Sequence, residues 1–352
     1  PDLRARLGRI VVGTTHARKP ITADDLQCAG AMTVLLKDAL MPNIMQTLEQ
    51  TLCFVHAGPF ANIAHGNSSI LADLMALKLG DYVVTESGFG ADCGMEKFMD
   101  IKCRYSGLRP DAVCMVASVR ALKMHSGDFK VTAGKPLDKG LLIENVEALQ
   151  RGLPNLTKQI ENVRLFGVPV VVAINRFPDD TAREHALIRE HALAAGAVDA
   201  VVADVHARGG EGGRDVARAI MHAANQPTAF KFLYDLDQPI ADKIETIATK
   251  VYGADGISIS PDARKNIAWL TEQGFGNLPV CIAKTHLSLS HDASLKGRPH
   301  GFIVPVKDVR VSAGAGFVYA LAGDIRTMPG LPSMPAMAKI DIDAQGVVQG
   351  LS

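Results

Sequence analysis

The chain has 352 residues, no net formal charge, 47% hydrophobic residues and 21% charged residues. This length is sufficient for two or three domains with cores of their own, and the balanced charge gives no reason to expect nucleic acid or an anionic membrane as a partner. The longest apolar runs, such as residues 168–174, are too short to span a bilayer. No charged segment followed by an apolar one opens the chain, so no secretory signal is predicted.

The six cysteines include no C-x-x-C pair, and several lie in apolar runs. We therefore expect buried free thiols in a protein from a reducing compartment. The eleven histidines include no H-E-x-x-H pattern, so no zinc or other metal site is predicted.

Short β-branched runs alternate with helical patterns from the start of the chain to about residue 255. The predicted strands are residues 10–12, 53–56, 82–85, 112–116, 168–174 and 197–203. The predicted helices are residues 70–77, capped by Asn67 or Ser68, and residues 145–166 and 181–195. This alternation is typical of parallel sheets with crossover helices.

The pattern changes after residue 255. It predicts a helix at 261–271, a strand at 279–284, strands with tight turns over 302–322, a loop at 327–332 and a short strand at 339–343. We therefore predict an α/β fold with mostly parallel sheets and crossover helices, followed by a smaller α+β domain. The predicted domains are residues 1–140, 141–255 and 256–352.

Two glycine-rich segments follow predicted strands and precede predicted helices. Ligands bind at the carboxyl ends of strands in open α/β sheets, glycine lets the backbone approach a ligand, and a helix N-terminus favours an anion. Residues 56–69 therefore form a candidate ligand loop, although an ordinary strand-to-helix turn also explains them. In residues 86–98, Asp92 and Glu96 lie one helical turn apart. They either face a metal-bound phosphate or form a solvated first turn that the helix dipole favours.

Charged and aromatic residues follow the next two predicted strands. Arg120 and Lys123 could bind a phosphate or carboxylate, or form a salt bridge at the strand end. Phe177, held by Pro178, is a candidate platform for a flat heterocycle. Asp179 or Asp180 could contact the nitrogens of such a ring, and helix capping before Thr181 explains them as well.

These segments resemble the formate–tetrahydrofolate ligase family. The resemblance extends from about Leu7 to the end of the chain. It rests on several long segments: V-A-S-V-R-A-L-K-M-H-S-G at 116–127, the glycine-rich residues 56–69, G-F-G-N-L-P-V-C-I-A-K-T at 274–285, residues 312–317 and residues 327–332.

The resemblance implies the reaction and its ligands: ATP with Mg²⁺, and formate, give formyl phosphate, which N10 of tetrahydrofolate attacks. It implies a P-loop NTPase-like first domain, a Rossmann-like second domain, a cytoplasmic location and a homo-oligomer. The implied catalytic residues are Arg120 and Lys123. The implied folate contacts are Phe177, Pro178, Asp179 and His206. The implied nucleotide contacts are Phe60, Asn62, His65, Gly66, Phe98, Lys284 and Thr285.

The chain departs from the family pattern in three places. No G-x-x-x-x-G-K-[ST] motif occurs, Ser126 replaces a usual glycine, and His206 replaces a usual tryptophan that would stack on the pterin ring. A histidine offers less apolar area, and the loss of the stack would cost about 1–3 kcal/mol. We therefore expect an incomplete ligase chain, inactive without a P-loop segment. The alternative is a truncated, inactive relative that acts as a folate-binding, nucleotide-binding or structural module.

Overall fold

The structure, a computed structural model, describes residues 2–59, 62–132, 136–325, 338 and 340–350. The strands are β1 (Val11–Thr14), β2 (Pro20–Thr22), β3 (Asn43–Gln46), β4 (Leu52–Val55), β5 (Val113–Ala117), β6 (Val170–Asn175), β7 (Asp199–Ala203), β8 (Gly256–Ile259), β9 (Val280–Ala283), β10 (Ile303–Val306), β11 (Asp308–Ser312), β12 (Phe317–Leu321), β13 (Asp341–Ile342) and β14 (Val348–Gln349).

The α-helices are α1 (Asp2–Gly8), α2 (Ala29–Leu36), α3 (Ile70–Ala76), α4 (Cys103–Ser106), α5 (Val119–Met124), α6 (Val146–Leu165), α7 (Ala182–Ala194), α8 (Val205–Arg208), α9 (Arg214–Ala224), α10 (Ile240–Ile247) and α11 (Pro261–Glu272). π-Helical turns occupy Ala91–Met95, Phe98–Lys102 and Ala248–Tyr252. Short 3₁₀ turns occupy Asp38–Leu40, Lys139–Leu141 and Gly209–Gly213. In the described part of the chain, no helix combines the length and apolarity needed to cross a bilayer.

A parallel sheet of order β5-β6-β7 lies in the middle of the chain. Its register pairs Ala117 with Ile174 and Asn175 with Ala203, so the carboxyl ends of all three strands lie at one edge. Helix α6 connects β5 to β6, and α7 connects β6 to β7. The predicted parallel arrangement is confirmed for this part of the chain, and the strand bounds agree to within two residues.

The first part of the chain differs from the prediction of alternating strands and helices. Strands β1 and β2 pair antiparallel, as do β3 and β4. The connections, residues 15–19 and 47–51, are too short for a parallel crossover, which needs a dozen or more residues. The predicted strand at 82–85 is also wrong, because this segment pairs with no strand among the described residues and Val84 is 88% exposed.

The last part of the chain contains the predicted mixture of strands. Strand β8 pairs parallel with β10, while β12 pairs parallel with β9 and antiparallel with β11. Strands β13 and β14 form an antiparallel hairpin. The predicted loop at 327–332 lies outside the described residues.

The largest cluster of buried apolar side chains extends from Met95 to Ala322 and joins the central sheet to the C-terminal strands. Helix α6 buries Leu149, Leu153, Leu156 and Ile160 in this cluster, at the spacing of one helical face. The cluster includes residues from all three predicted domains. The domain bounds at 140 and 255 stay a prediction.

All six cysteines are free, as predicted. The predicted burial is confirmed for three of them, Cys93, Cys103 and Cys281, whereas Cys114 is exposed on β5. Sequence patterning did not distinguish these cases, because a strand at a sheet edge can carry an apolar run without full cover.

Candidate active site

The carboxyl edge of the central sheet brings three of the predicted site residues together. The guanidinium carbon of Arg120 lies 4.1 Å from the centroid of the Phe177 ring. Its Nη2 donates to Oδ2 of Asp179 at 2.9 Å. Arg120 follows β5, while Phe177 and Asp179 follow β6, so the parallel pairing of these strands creates the contact. The predicted alternative of a salt bridge at the strand end describes this geometry.

The backbone at Phe177 is fixed by its own loop. The Phe177 N–H donates to Oδ2 of Asp180 at 2.9 Å, and the same oxygen lies 3.2 Å from Nε2 of His185. Phe177 is half-buried, whereas Pro178 and Asp179 are exposed. The aromatic ring therefore sits on a rigid turn, with a carboxylate at its solvent side.

His206 lies on α8, in the loop region after the neighbouring strand β7, and its side chain is exposed. The two loops are joined by an ion pair between Arg176 and Asp204 at 3.0 Å. Because Asn175 and Ala203 are paired across the sheet, Phe177 and His206 follow adjacent strand ends. The contribution of His206 to folate binding stays a prediction.

Lys123 is buried, and its ammonium is fully engaged within the protein. Its Nζ lies 2.5 Å from Oε1 of Glu184 and donates to the Ile143 carbonyl at 2.7 Å. Both partners of the ion pair are at most 1% exposed. The salt-bridge alternative describes Lys123 too, and its predicted catalytic role stays a prediction.

Three predicted nucleotide contacts, Asn62, Lys284 and Thr285, lie together. The side-chain oxygen of Asn62 accepts from the Lys284 N–H at 3.1 Å. The Lys284 ammonium lies 2.7 Å from Oδ2 of Asp92 and donates to the carbonyls of Thr285 at 3.0 Å and Ser288 at 2.5 Å. Lys284 is 1% exposed. Its charge is therefore neutralised inside the protein, while Thr285 lies half-buried at the end of the segment that Lys284 holds.

Asp92 is anchored by α6 as well as by Lys284. The Gln159 side chain donates to Oδ1 of Asp92 at 2.7 Å and accepts from the Asp92 N–H at 3.0 Å. Burial alone would raise the pKa of Asp92, but the charge and hydrogen bonds of Lys284 and Gln159 hold it below its ordinary value. No sequence pattern connects Gln159 to Asp92, because the two residues lie 67 positions apart.

Glu96 and Asp100 form a second buried acidic pair on the same helical segment. Both residues are 0% exposed. The predicted solvated first turn is wrong, because Asp92 and Glu96, for which it was predicted, are only 5% and 0% exposed. Burial, followed by the charge of Asp100, raises the pKa of Glu96 well above its ordinary value. Burial also raises the pKa of Asp100 to about 6. The segment is π-helical, a geometry that is frequent at functional sites.

The two glycine-rich segments contact each other. The Gly88 N–H donates to the Gly66 carbonyl at 3.1 Å, and the Asn67 side chain donates to the Glu86 carbonyl at 2.8 Å. Gly66 has a φ of 66°, a conformation that favours glycine. These bonds place the two candidate ligand loops side by side.

Two further predicted nucleotide contacts, His65 and Phe98, lie around Lys102. Burial, with the nearby charge of Lys102, lowers the pKa of His65 to about 4. The Lys102 ammonium lies 5.5 Å from the Phe98 ring centroid and 2.5 Å from Oδ2 of Asp73. Phe60 lies outside the described residues.

One aromatic pair was missed by the sequence reasoning. The rings of Phe89 and His286 stack with centroids 4.7 Å apart and an interplanar angle of 11°. Phe89 has a φ of 64° and is 46% exposed. A phenylalanine between two glycines was the available signal, but nothing in the sequence connects it to His286.

Comparison with known proteins gives one family for the whole chain. The profile of the family described as formate–tetrahydrofolate ligase matches residues 1–352. The chain is 59% identical over 351 residues to the formate–tetrahydrofolate ligase of Roseiflexus castenholzii, covering 100% of this chain and 62% of that protein. It is 56% identical over 347 residues to human cytoplasmic C-1-tetrahydrofolate synthase, covering 98% of this chain and 37% of that protein. The human mitochondrial monofunctional C1-tetrahydrofolate synthase is 58% identical over 347 residues, with 98% and 36% covered.

Proposed function

Since the chain belongs to the formate–tetrahydrofolate ligase family, we propose that it takes part in the ATP-dependent formylation of tetrahydrofolate. Formate is a poor electrophile, and phosphorylation gives it a leaving group that an amine can displace. The protein must then position the reactants and neutralise phosphate charge. The chain spans 62% of the length of its Roseiflexus relative, so the complete reaction is proposed for the protein to which these residues contribute.

The observation that carries this proposal is the cluster of Arg120, Phe177 and Asp179 at the carboxyl edge of the parallel sheet. An aromatic ring on a rigid turn, beside an exposed carboxylate, suits a flat heterocycle with N–H donors. We assign the pterin ring to Phe177 and Pro178, and its donors to Asp179. His206, at the next strand end, forms the neighbouring wall.

The nucleotide side of the site is formed by the two adjacent glycine-rich segments and by the end of β9. Because the Lys284 ammonium is bonded to Asp92 and to two carbonyls, we assign Lys284 the role of holding Thr285 and Asn62 in place. Thr285, and the backbone near Gly66, then face ATP and its Mg²⁺. In the same way, Lys123 holds α5 to α7 through Glu184, and Arg120 is the cation that reaches the reactants.

The 352 residues contain no G-x-x-x-x-G-K-[ST] motif. We propose that the main-chain grip on the triphosphate comes from the part of the relatives' length that this chain does not match, and that these residues alone do not turn over. The complete enzyme is proposed to be cytoplasmic and homo-oligomeric. The alternative of an inactive relative finds no support in the comparisons, where proteins 55–59% identical to this chain are named as ligases.

A coupled assay of ADP release with ATP, formate and tetrahydrofolate tests this proposal. The chain is assayed alone and together with the unmatched part of the Roseiflexus castenholzii ligase, supplied as a separate polypeptide or as a fusion. We expect release that depends on formate and tetrahydrofolate only in the combined sample. If the combined sample released no ADP, the ligase proposal would fail. Turnover by the chain alone would contradict the proposal that the main-chain contacts to the triphosphate lie outside these 352 residues.

A further inference from the structure

The guanidinium of Arg120 occupies both surfaces that the proposed heterocycle site offers. One is the face of Phe177, whose ring centroid lies 4.1 Å from the guanidinium carbon. The other is the carboxylate of Asp179, which accepts from Nη2 at 2.9 Å. Arg120 itself is only 22% exposed, whereas Asp179 is 48% exposed. The arginine therefore covers the platform, and the carboxylate remains open to solvent on its other side.

Guanidinium and pterin share the chemistry that these two surfaces recognise. A guanidinium is a planar group with paired N–H donors, and it stacks on aromatic rings and binds carboxylates through two parallel bonds. The 2-amino-4-oxopyrimidine edge of a pterin is also planar, and its N3–H and 2-amino group form a similar pair of donors beside an aromatic face. A site that suits one therefore suits the other.

We propose that Arg120 is an internal surrogate for the pterin, meaning that it fills the pterin position in the ligand-free protein and must leave before tetrahydrofolate can bind. This inference rests on the proposed function and names how its folate site is controlled. Displacement frees a guanidinium at the site's edge, next to the reactants whose negative charge the reaction must neutralise. The same residue thus covers the site before folate binds and becomes available to the reactants once folate has displaced it.

The contacts of Arg120 are of a kind that a ligand can displace. A partly exposed ion pair and one cation–π contact are individually weak. Among the described residues, the buried Nε of Arg120 has no hydrogen-bond partner, so the closed position leaves one donor unsatisfied. The apparent dissociation constant of the ligand equals its intrinsic value divided by the open fraction. Removal of the surrogate should therefore tighten binding by about threefold to thirtyfold.

Calorimetric titration of tetrahydrofolate into the 352-residue chain and its Arg120→Gln variant tests the inference, with Arg120→Lys as a second variant that keeps the charge without the planar fork. We expect tighter binding by Arg120→Gln and an intermediate value for Arg120→Lys. The matched control is Arg189→Gln, which removes an ion pair with Asp199 at 2.6 Å on another surface and should leave the affinity unchanged. Melting temperatures of all variants confirm that each is folded.

The outcomes separate this inference from the proposed function. Weaker or unchanged binding by a folded Arg120→Gln variant, with clear binding by the wild type, overturns the surrogate role and leaves the folate site standing. In that case Arg120 is a wall of the site or plays no part in it. Absence of binding in the wild type and in both Arg120 variants overturns the folate site and the surrogate together. Tighter binding by Arg120→Gln supports both, because loss of a purely structural residue would not raise affinity.

Discussion

The ammonium of Lys284 lies 2.7 Å from the carboxylate of Asp92, and neither side chain is more than 7% exposed. Removal of one member leaves an unpaired buried charge, which costs about 3–5 kcal/mol. We therefore expect Lys284→Met to lower the free energy of unfolding, measured by urea denaturation at neutral pH, by that amount. A matched control is Lys265→Met, which removes an exposed pair with Asp262 and should cost about 0–1 kcal/mol. Equal losses in the two variants would contradict the anchoring role of Lys284.

Glu184 joins three elements through one carboxylate. It pairs with Lys123, accepts from the Asn145 N–H at 3.0 Å, and completes a capping box with Thr181 at the start of α7. Glu184→Gln keeps the shape but leaves the buried Lys123 cation without its counter-charge, so we expect a loss of about 3–5 kcal/mol in the free energy of unfolding. Thr181→Ala should cost only about 1 kcal/mol, because it removes a cap alone.

Glu190→Gln, an exposed change on the same helix, is the control for Glu184 and should leave stability within about 0.5 kcal/mol of the wild type. Chemical denaturation of the three variants gives the order directly. If Thr181→Ala were as costly as Glu184→Gln, the ion pair with Lys123 would carry no net stability and the cap would account for the whole effect.

Helix α6 crosses α5 at Gly152 with no room for a side chain. A methyl group at this position would lie 1.8 Å from the Leu122 carbonyl oxygen, which is backbone and cannot turn away. Overpacked cores typically lose about 1–3 kcal/mol. Because this contact is with backbone, we expect Gly152→Ala to lower the free energy of unfolding by about 3 kcal/mol or more. Gly30→Ala, in α2 with open space around it, should instead stabilise by roughly 0.5–1 kcal/mol. Thermal melts of the two variants should therefore shift in opposite directions.

The elements that the sequence predicted well are those with local signals at their ends. Helices α6, α7 and α11 begin within one residue of their predicted starts, and Asn145, Thr181 and Ser260 each accept a hydrogen bond from the backbone N–H three residues later. The predicted cap of α3, Asn67 or Ser68, is wrong, because Ser69 accepts from the Ala72 N–H. The apolar run of β6 was equally clear, because a strand with two covered faces carries uninterrupted β-branched residues, whereas β5 and β7 each leave part of one face exposed.

The candidate site was predicted only as separate segments. Arg120 and Phe177 were each identified, but their contact depends on the pairing of two strands that 52 intervening residues separate along the chain. The sequence does not identify Gln159 as a partner of Asp92, because a polar residue on an amphipathic helix is expected to face solvent. The burial of Asp92 and Glu96 was missed for the same reason: charge in a first helical turn is usually exposed, and only the tertiary structure shows that this segment is covered.

Phe177 and His206 should contribute differently to the affinity for tetrahydrofolate. Phe177→Ala removes the stacking platform, and the loss of one ring–base stack is worth about 1–3 kcal/mol, or roughly fivefold to 150-fold in the dissociation constant. His206→Trp should tighten binding, because a larger apolar ring would face the pterin. Calorimetry on both variants measures these shifts, with Tyr82→Ala as an exposed aromatic control that should change nothing. No gain in the His206→Trp variant would show that His206 is not the neighbouring wall.

His125 makes the stability of the fold depend on pH. Its Nδ1 accepts from the Gly297 N–H at 3.3 Å, and burial, followed by the charge of Lys296, lowers its pKa from 6.5 to about 4, against the opposing charge of Asp92. Between these two values the unfolded chain binds a proton that the folded protein excludes. The contribution of His125 to stability is therefore complete above pH 6.5 and is lost as the pH falls towards 4, by at most about 3 kcal/mol.

Urea denaturation at intervals between pH 7 and pH 4 measures this loss. The pKa of His65 is also lowered to about 4, so this residue contributes to the loss over the same pH range. The difference in the free energy of unfolding between the wild type and His125→Gln therefore gives the contribution of His125 alone. We expect the variant to show a shallower decline, since it has no proton to exclude at this position. His222→Gln, at an exposed position on α9, should follow the wild-type curve. Parallel curves for the wild type and His125→Gln would mean that His125 adds nothing to the pH dependence of stability, and that the loop after β9 is held to α5 by contacts other than the bond from the Gly297 N–H.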